Sequence, residues 1–198
     1  MARVLVRSSV PARVELSTDA AGSFRFALVA DTHSKPHPAT PERLRELSPN
    51  VILHAGDIGD LSVLSQLAEV APVHAVRGNI DAQVREVPET LLVELRHERV
   101  LKLRVLLTHI AVYGPKLRAE VARLARSERA GLVVCGHSHV PFIGRDRGIG
   151  IFNPGSIGPK RLQLPIVLGV LDVRGSQASM RHIDCETGED WLPPPRPR

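Results

Sequence analysis

Seven side chains in this 198-residue sequence combine residue type and spacing in a way that could do chemistry. Two pairs lie two residues apart, in Asp31-Thr32-His33 and His137-Ser138-His139. Asp57 follows Gly56, Asn79 stands in Gly78-Asn79-Ile80-Asp81, and His109 follows Thr108. In extended chain, residues i and i+2 point to one side, so each pair presents two donors to one place. Taken singly, each has a plainer reading: Gly-Asp and Gly-Asn make turns, and a lone histidine is usually a hydrogen-bonded polar side chain. Together, carboxylates, imidazoles and an amide oxygen form a mixed oxygen and nitrogen ligand set. Such a set suits borderline divalent metals (Mn, Fe, Co, Ni, Zn) rather than a thiolate-preferring ion. Seven ligands are too many for one four-ligand site. They suit two metals that share a carboxylate, and two metals about 3.5–4 Å apart form a clamp for phosphoryl chemistry.

Short apolar segments precede these residues and must position them. Residues 24–30 read as a strand that ends at Asp31, and residues 51–54 as a buried strand that ends before Asp57. A third strand over 73–76 delivers Asn79, residues 100–108 deliver His109, and residues 132–135 deliver His137 and His139. Helical spacing fills the gaps. Residues 41–47 start with Pro41 at the first helical position and Thr40 as cap. Leu61, Leu64, Leu67 and Ala68 share a face, as do Leu117, Val121, Leu124 and Ala125. The order strand, helix, strand, helix, strand predicts parallel strands, whose carboxyl ends collect ligands in open α/β sheets. Hairpins are expected at 91–95 with 100–108, at 140–143 with 149–152, and at 165–173 with 177–183. Asn153-Pro154-Gly155-Ser156 reads as a tight turn.

Composition sets the class. The chain holds 43% hydrophobic and 24% charged residues, an ordinary globular balance. Aromatics make up 3%, so Val, Leu, Ile and Ala must build the core. Two cysteines, Cys135 and Cys185, without CxxC spacing, argue against a disulfide framework or a thiolate zinc site. No run approaches the roughly 20 apolar residues of a membrane span, and residues 1–7 lack a signal peptide's apolar region; a soluble cytoplasmic protein is expected. The formal charge of +5 is spread along the chain. With no aromatic stacking platform, no sequence-specific nucleic-acid binding is predicted. His54 and His74 are expected to be buried, and His37, His97 and His182 to lie at the surface. Arg77 could contact a phosphate, though a structural role is favoured.

The series Asp-x-His, Gly-Asp, Gly-Asn-x-Asp, His, Gly-His-x-His resembles the signature of the calcineurin-like metallophosphoesterases. The resemblance covers residues 24–183. The Gly78-Asn79-Ile80-Asp81 form and the Asn153-Pro154-Gly155-Ser156 turn resemble the small bacterial and archaeal phosphodiesterase branch. The resemblance implies an α/β fold, a four-layer α/β/β/α sandwich of two mixed sheets flanked by helices. It implies one metal held by Asp31, His33, Asp57 and His139, and another held by Asp57, Asn79, His109 and His137, with Asp57 bridging. Asp57, Asn79, His109 and His33 are then the residues nearest the chemistry. The expected cofactors are two divalent ions, Mn²⁺ first, with Fe, Ni, Co or Zn as alternatives. The implied reaction is hydrolysis of a phosphodiester, of unspecified identity, by a hydroxide bridging the two metals. Two divalent ions against two carboxylates leave about +2, which favours a diester.

The sequence departs from the family at two positions. Ile80 stands where many superfamily members carry a histidine, which leaves the proton donor to the leaving group open among His33, Asp81 and a metal-bound water. Ile110 replaces a glycine after His109. A non-catalytic protein-interaction scaffold of the same fold, similar to a eukaryotic retromer subunit, is the alternative function. The expected organisation is an N-terminal extension or edge strands at 1–23, a metallophosphoesterase domain at 24–186 and a Pro/Arg-rich tail at 187–198. The first of these would cover a sheet edge or support a homo-oligomer.

Overall fold

The computed structural model describes residues 10–193. The chain begins with β1 (Ala12–Ser17), β2 (Ser23–Val29), α1 (Thr40–Leu47), β3 (Val51–His54), α2 (Ser62–Ala68) and β4 (Val73–Ala75). There follow β5 (Thr90–His97), β6 (Val100–Thr108), a small hairpin of β7 (Val112–Tyr113) and β8 (Lys116–Leu117), and α3 (Ala119–Ser127). The last elements are β9 (Leu132–Val134), β10 (Phe142–Asp146), β11 (Ile149–Asn153), β12 (Val167–Arg174), β13 (Gln177–Asp184) and β14 (Asp190–Trp191). Two six-stranded mixed sheets result, ordered β1-β5-β6-β9-β11-β10 and β14-β13-β12-β2-β3-β4. Strands β2, β3 and β4 run parallel, as their alternation with helices requires. In the other sheet β6, β9 and β11 are parallel neighbours.

Period-two alternation sorts the side chains into layers. Phe24, Phe26 and Leu28 meet Val93, Val105, Leu107, Val134 and Phe152 between the sheets. The intervening Ala27 and Val29, with Ile52, join Leu44, Val63 and Leu67 under α1 and α2. On the opposite outer face Leu92, Leu106, Val133 and Ile151 pack with Val121, Ala122 and Ala125 of α3. The architecture is therefore helix, sheet, sheet, helix. Strands buried on both faces read as unbroken apolar runs, which is the pattern of residues 26–30 and 51–53. Phe26 and Phe152 are the largest side chains buried between the sheets, and truncating Phe26 to Ala would cost about 3–5 kcal/mol.

The termini and caps differ from expectation. Of the extension or edge strands expected at 1–23, residues 1–9 lie outside the described residues, and β1 pairs in parallel with β5 along a sheet edge. Trp191 does not belong to an irregular tail: it pairs with His182 across β13 and β14. Its ring stands edge-on to the His182 imidazole at 5.7 Å, and His182 is accordingly buried rather than at the surface. Its Nε2–H donates to the Asn153 carbonyl at 2.8 Å. His74, on edge strand β4, is half-buried. Helix α1 carries Pro in its first turn as predicted, but Ala39 is the N-cap and Thr40 is buried inside the helix. Ser48 ends α1 with φ 48°, its N–H closing on Leu44 and Arg45 carbonyls. Among the described residues no helix is long and apolar enough to cross a membrane.

Candidate metal centre

The loops that leave the carboxyl ends of five strands carry the candidate ligands. Asp31 and His33 follow β2, Asp57 follows β3, Asn79 follows β4, His109 follows β6, and His137 and His139 follow β9. The folded chain brings six of them into two groups. In each, the ligand atoms lie within 4.8 Å of one another: Asp31, His33 and His139, then Asp57, His109 and His137. Asp57 spans the two groups, with Oδ1 3.2 Å from His109 Nε2 and Oδ2 3.8 Å from His33 Nε2. His33 and His139 stack with Nε2 atoms 3.3 Å apart. Asn79 stands beside the second group, on the wall of a cleft of about 320 Å³ that Thr108, His109 and Ile110 also line.

Five of these residues adopt a backbone that L side chains rarely take: Asp31 (φ 55°), His33 (46°), Asp57 (55°), His137 (71°) and His139 (57°). Each such residue costs of order 1–3 kcal/mol and persists where its surroundings dictate it. Loop-to-loop hydrogen bonds do so here. Asp31 N–H donates to the Gly56 carbonyl at 2.9 Å and His33 N–H to the Asp57 carbonyl at 3.0 Å. The loops meet backbone to backbone at Gly78, where a Cβ would lie 2.2 Å from Asp57 N and Oδ1. Ile80 N–H then donates to Asp57 Oδ1 at 3.2 Å.

Behind the ligands sits a layer of saturated polar groups. Buried Asp81 accepts the N–H groups of Ile58 (3.0 Å), Gly59 (2.9 Å) and Gly78 (2.8 Å). Both of its oxygens are thus spent on backbone, and it sews the loops after β3 and β4 together. His54 Nδ1 accepts the Gly56 N–H at 3.2 Å, which places its proton on Nε2, facing Thr32 Oγ1 at 3.0 Å. Thr32 passes its own proton to the Ile58 carbonyl at 2.9 Å. Burial pushes the His54 pKa down to about 4, so this chain holds a neutral ring. Asn153 Nδ2 donates to the Gly136 carbonyl at 2.8 Å, and Ser156 Oγ to the Asp31 carbonyl at 3.0 Å. The Asn153–Ser156 turn therefore supports both histidine-bearing and carboxylate-bearing loops, a role its turn-forming sequence does not announce.

The ligands themselves are not saturated. His109 Nδ1 lies 2.8 Å from the Ala55 carbonyl, so Nδ1 carries the proton and Nε2 a lone pair. Among the described residues that buried lone pair has no hydrogen-bond partner, and a carboxylate oxygen of Asp57 lies 3.2 Å away. Two facing lone pairs repel unless a cation lies between them. Burial, first among the causes, lowers the pKa values of His33 and His109 and takes that of His139 to about 4. Neutral imidazoles are the form that binds metals. Burial and the neighbouring Asp57 push the Asp31 carboxyl up to about 8. A carboxyl so raised is short of a positive partner. The donor set thus fits divalent ions, and its oxygen and nitrogen chemistry admits Mn, Fe, Co, Ni or Zn.

Two arginines stand at the site in different ways, and Arg77 takes the structural role the sequence favours. Arg77 turns its Nη2 to Glu89 as an ion pair on the cleft wall. Arg161, which no motif singles out, places Nη2 3.0 Å from His33 Nε2.

Comparison with known proteins agrees with this geometry. The sequence matches the calcineurin-like phosphoesterase superfamily domain over residues 24–176. A probable metallophosphoesterase of Methanothermobacter thermautotrophicus is 32% identical over 156 residues, covering 77% of this chain and 87% of that protein. Phosphodiesterase YfcE of Escherichia coli K12 is 34% identical over 113 residues, 56% of this chain and 58% of its own. The structure of Vps29 complexed with zinc from Entamoeba histolytica shares the fold with a TM-score of 0.66 at 19% identity, covering 84% of this chain and 96% of that one. Since the matched span takes in strands of both sheets and every candidate ligand, the chain belongs to the calcineurin-like phosphoesterase superfamily.

Proposed function

We propose that this protein is a metal-dependent phosphodiesterase with a dinuclear centre. One ion is held by Asp31, His33, Asp57 and His139, and the other by Asp57, Asn79, His109 and His137. The observation that carries the reading is Asp57, which turns one oxygen to each ligand group, and the buried His109 Nε2 lone pair beside it, which has no hydrogen-bond partner among the described residues. Two divalent ions, Mn²⁺ first, would supply an activated water and neutralise charge on the phosphoryl oxygens.

The chain's own part is positioning. Ala55 fixes the His109 tautomer, so its lone pair always faces the site. Asp81 locks the loops that carry Asp57 and Asn79, and the single His137 backbone N–H, shared between both Asp31 carboxylate oxygens at 3.1 and 3.0 Å, holds Asp31 in place. Such outer contacts keep reacting groups aligned without reorganisation. With Ile80 exposed after Asn79 and Asp81 spent on backbone, neither donates a proton to a leaving group. Diesters of acidic alcohols, which leave without protonation, are the substrates this favours. Buried, unpaired Cys135 and Cys185 fit a reducing compartment, and we place the activity in the cytoplasm.

The test is hydrolysis of an aryl phosphodiester by chelator-stripped protein, with and without Mn²⁺, beside Asp57→Ala. Activity should return with metal and fall at least about 100-fold in the variant. Folded protein that is inactive with every divalent ion would replace this reading with a scaffold of the same fold.

A further inference from the structure

The loop after the Asn153–Ser156 turn is tied to the metal ligands. Ser156 Oγ, bonded to the Asp31 carbonyl, also accepts the Gly158 N–H at 3.1 Å. A Cβ on Gly158 would lie 2.1 Å from that same carbonyl, so the chain passes here only without a side chain. Pro159 and Lys160 lead on to Arg161, whose guanidinium donates to His33 Nε2. The acceptor is a neutral ring, and among the described residues Arg161 has no carboxylate partner, unlike Arg25, Arg77, Arg104 and Arg181. The lone pair that Arg161 holds is the one a metal ion takes from His33. With that acceptor taken, a planar fork of N–H donors remains at the rim of the site, suited to an anionic oxygen.

Building on the phosphodiesterase reading, we infer that Arg161 binds a non-bridging phosphoryl oxygen of the diester. Arg161 is then a substrate-binding residue.

The experiment compares Mn²⁺-loaded wild type, Arg161→Gln and Arg161→Lys. It reads bound metal, binding of inorganic phosphate by calorimetry, and hydrolysis of a bis-aryl and a methyl aryl diester. Arg161→Gln should keep its metal yet weaken phosphate binding and lower kcat/KM about 10- to 100-fold, the loss expected for one charge-assisted hydrogen bond. Arg161→Lys should fall between, keeping charge without the fork. Unchanged phosphate affinity in Arg161→Gln overturns the proposal, and so does loss of metal, which would make Arg161 a support for His33. If wild type hydrolyses neither ester while phosphate binding still depends on Arg161, the phosphodiesterase reading falls and the anion contact stands.

Discussion

Strand β2 runs between two buried carboxylates that behave in opposite ways. Near its start, Arg25 faces Asp172 of β12 in register. Arg25 Nε lies 2.6 Å from one Asp172 oxygen and Arg181 Nη1 2.7 Å from the other. Burial alone would raise the Asp172 pKa, but these hydrogen bonds and charges outweigh it and hold the carboxyl below its usual value. Past the other end of the strand, Asp31 is fully buried with the His137 N–H for a partner, and burial together with Asp57 pushes it up to about 8. One carboxylate has its counter-charge within the chain. The other has no arginine or lysine within ion-pair reach among the described residues, only the neutral His139 imidazole at 3.5 Å. The difference separates charge that holds the fold from charge that holds a ligand.

Asparagine at each position puts this contrast to its strongest test. With Mn²⁺ present, Asp31→Asn should lower hydrolysis at least about 100-fold through loss of metal, while its metal-free form should be no less stable than wild type, because the cost of burying a carboxyl without a counter-charge, which keeps it protonated, has gone. Asp172→Asn should do the reverse. Activity stays within a few-fold, but unfolding free energy falls by about 2–3 kcal/mol, discounted from a fully buried pair because both arginines are about a third exposed. Urea unfolding and metal content of the two variants decide it. An Asp172→Asn protein that loses metal, or an Asp31→Asn protein that unfolds more easily in chelator, would erase the distinction.

The same contrast explains what could be read in the sequence. Layering was legible because alternation is local: Phe24, Phe26 and Leu28 face one core, Ala27 and Val29 the other. The ligands were legible because metal binding needs particular atoms, and those residue types stand at strand ends. Arg161 was not, since it is one of 22 arginines and its meaning comes from a turn that folds 128 positions away from His33. Nor were the left-handed conformations at Asp31, Asp57 and His139, since aspartate and histidine carry no mark of them as glycine would. His182 was misplaced because its cover, Trp191, sits in a segment too short and proline-flanked to read as a strand.

Proton linkage offers a finer measurement. An unfolded aspartate titrates near 3.8, whereas folded Asp31 titrates near 8. Between these values the folded chain keeps a proton that the unfolded chain has released. The stability this group contributes is therefore full below pH 4 and is lost as pH rises toward 8, by at most about 1.4 kcal/mol per unit. His54 acts oppositely: lowered by burial from 6.5 to about 4, it costs stability as pH falls through that interval. Above pH 6.5 the His54 effect is spent. In chelator, wild type should then lose stability relative to Asp31→Asn between pH 6.5 and 8, and saturating Mn²⁺ should remove the slope. Parallel curves over that window would show that Asp31 is already paired.

The smallest effect belongs to the arginine that is already satisfied. Arg77 lies on the cleft wall near Asn79, yet its guanidinium is tied to Glu89, which is 58% exposed. Exposed pairs of this kind contribute about 0–1 kcal/mol. Arg77→Gln should therefore lower stability by less than about 1 kcal/mol and leave kcat/KM within about threefold of wild type. Proximity alone would rank Arg77 beside Arg161; pairing ranks them far apart. A tenfold or greater loss of kcat/KM in Arg77→Gln, with metal retained, would mean that Arg77 leaves Glu89 for the substrate. An ion pair seen in the folded chain would then be no guide to which charges are committed to structure.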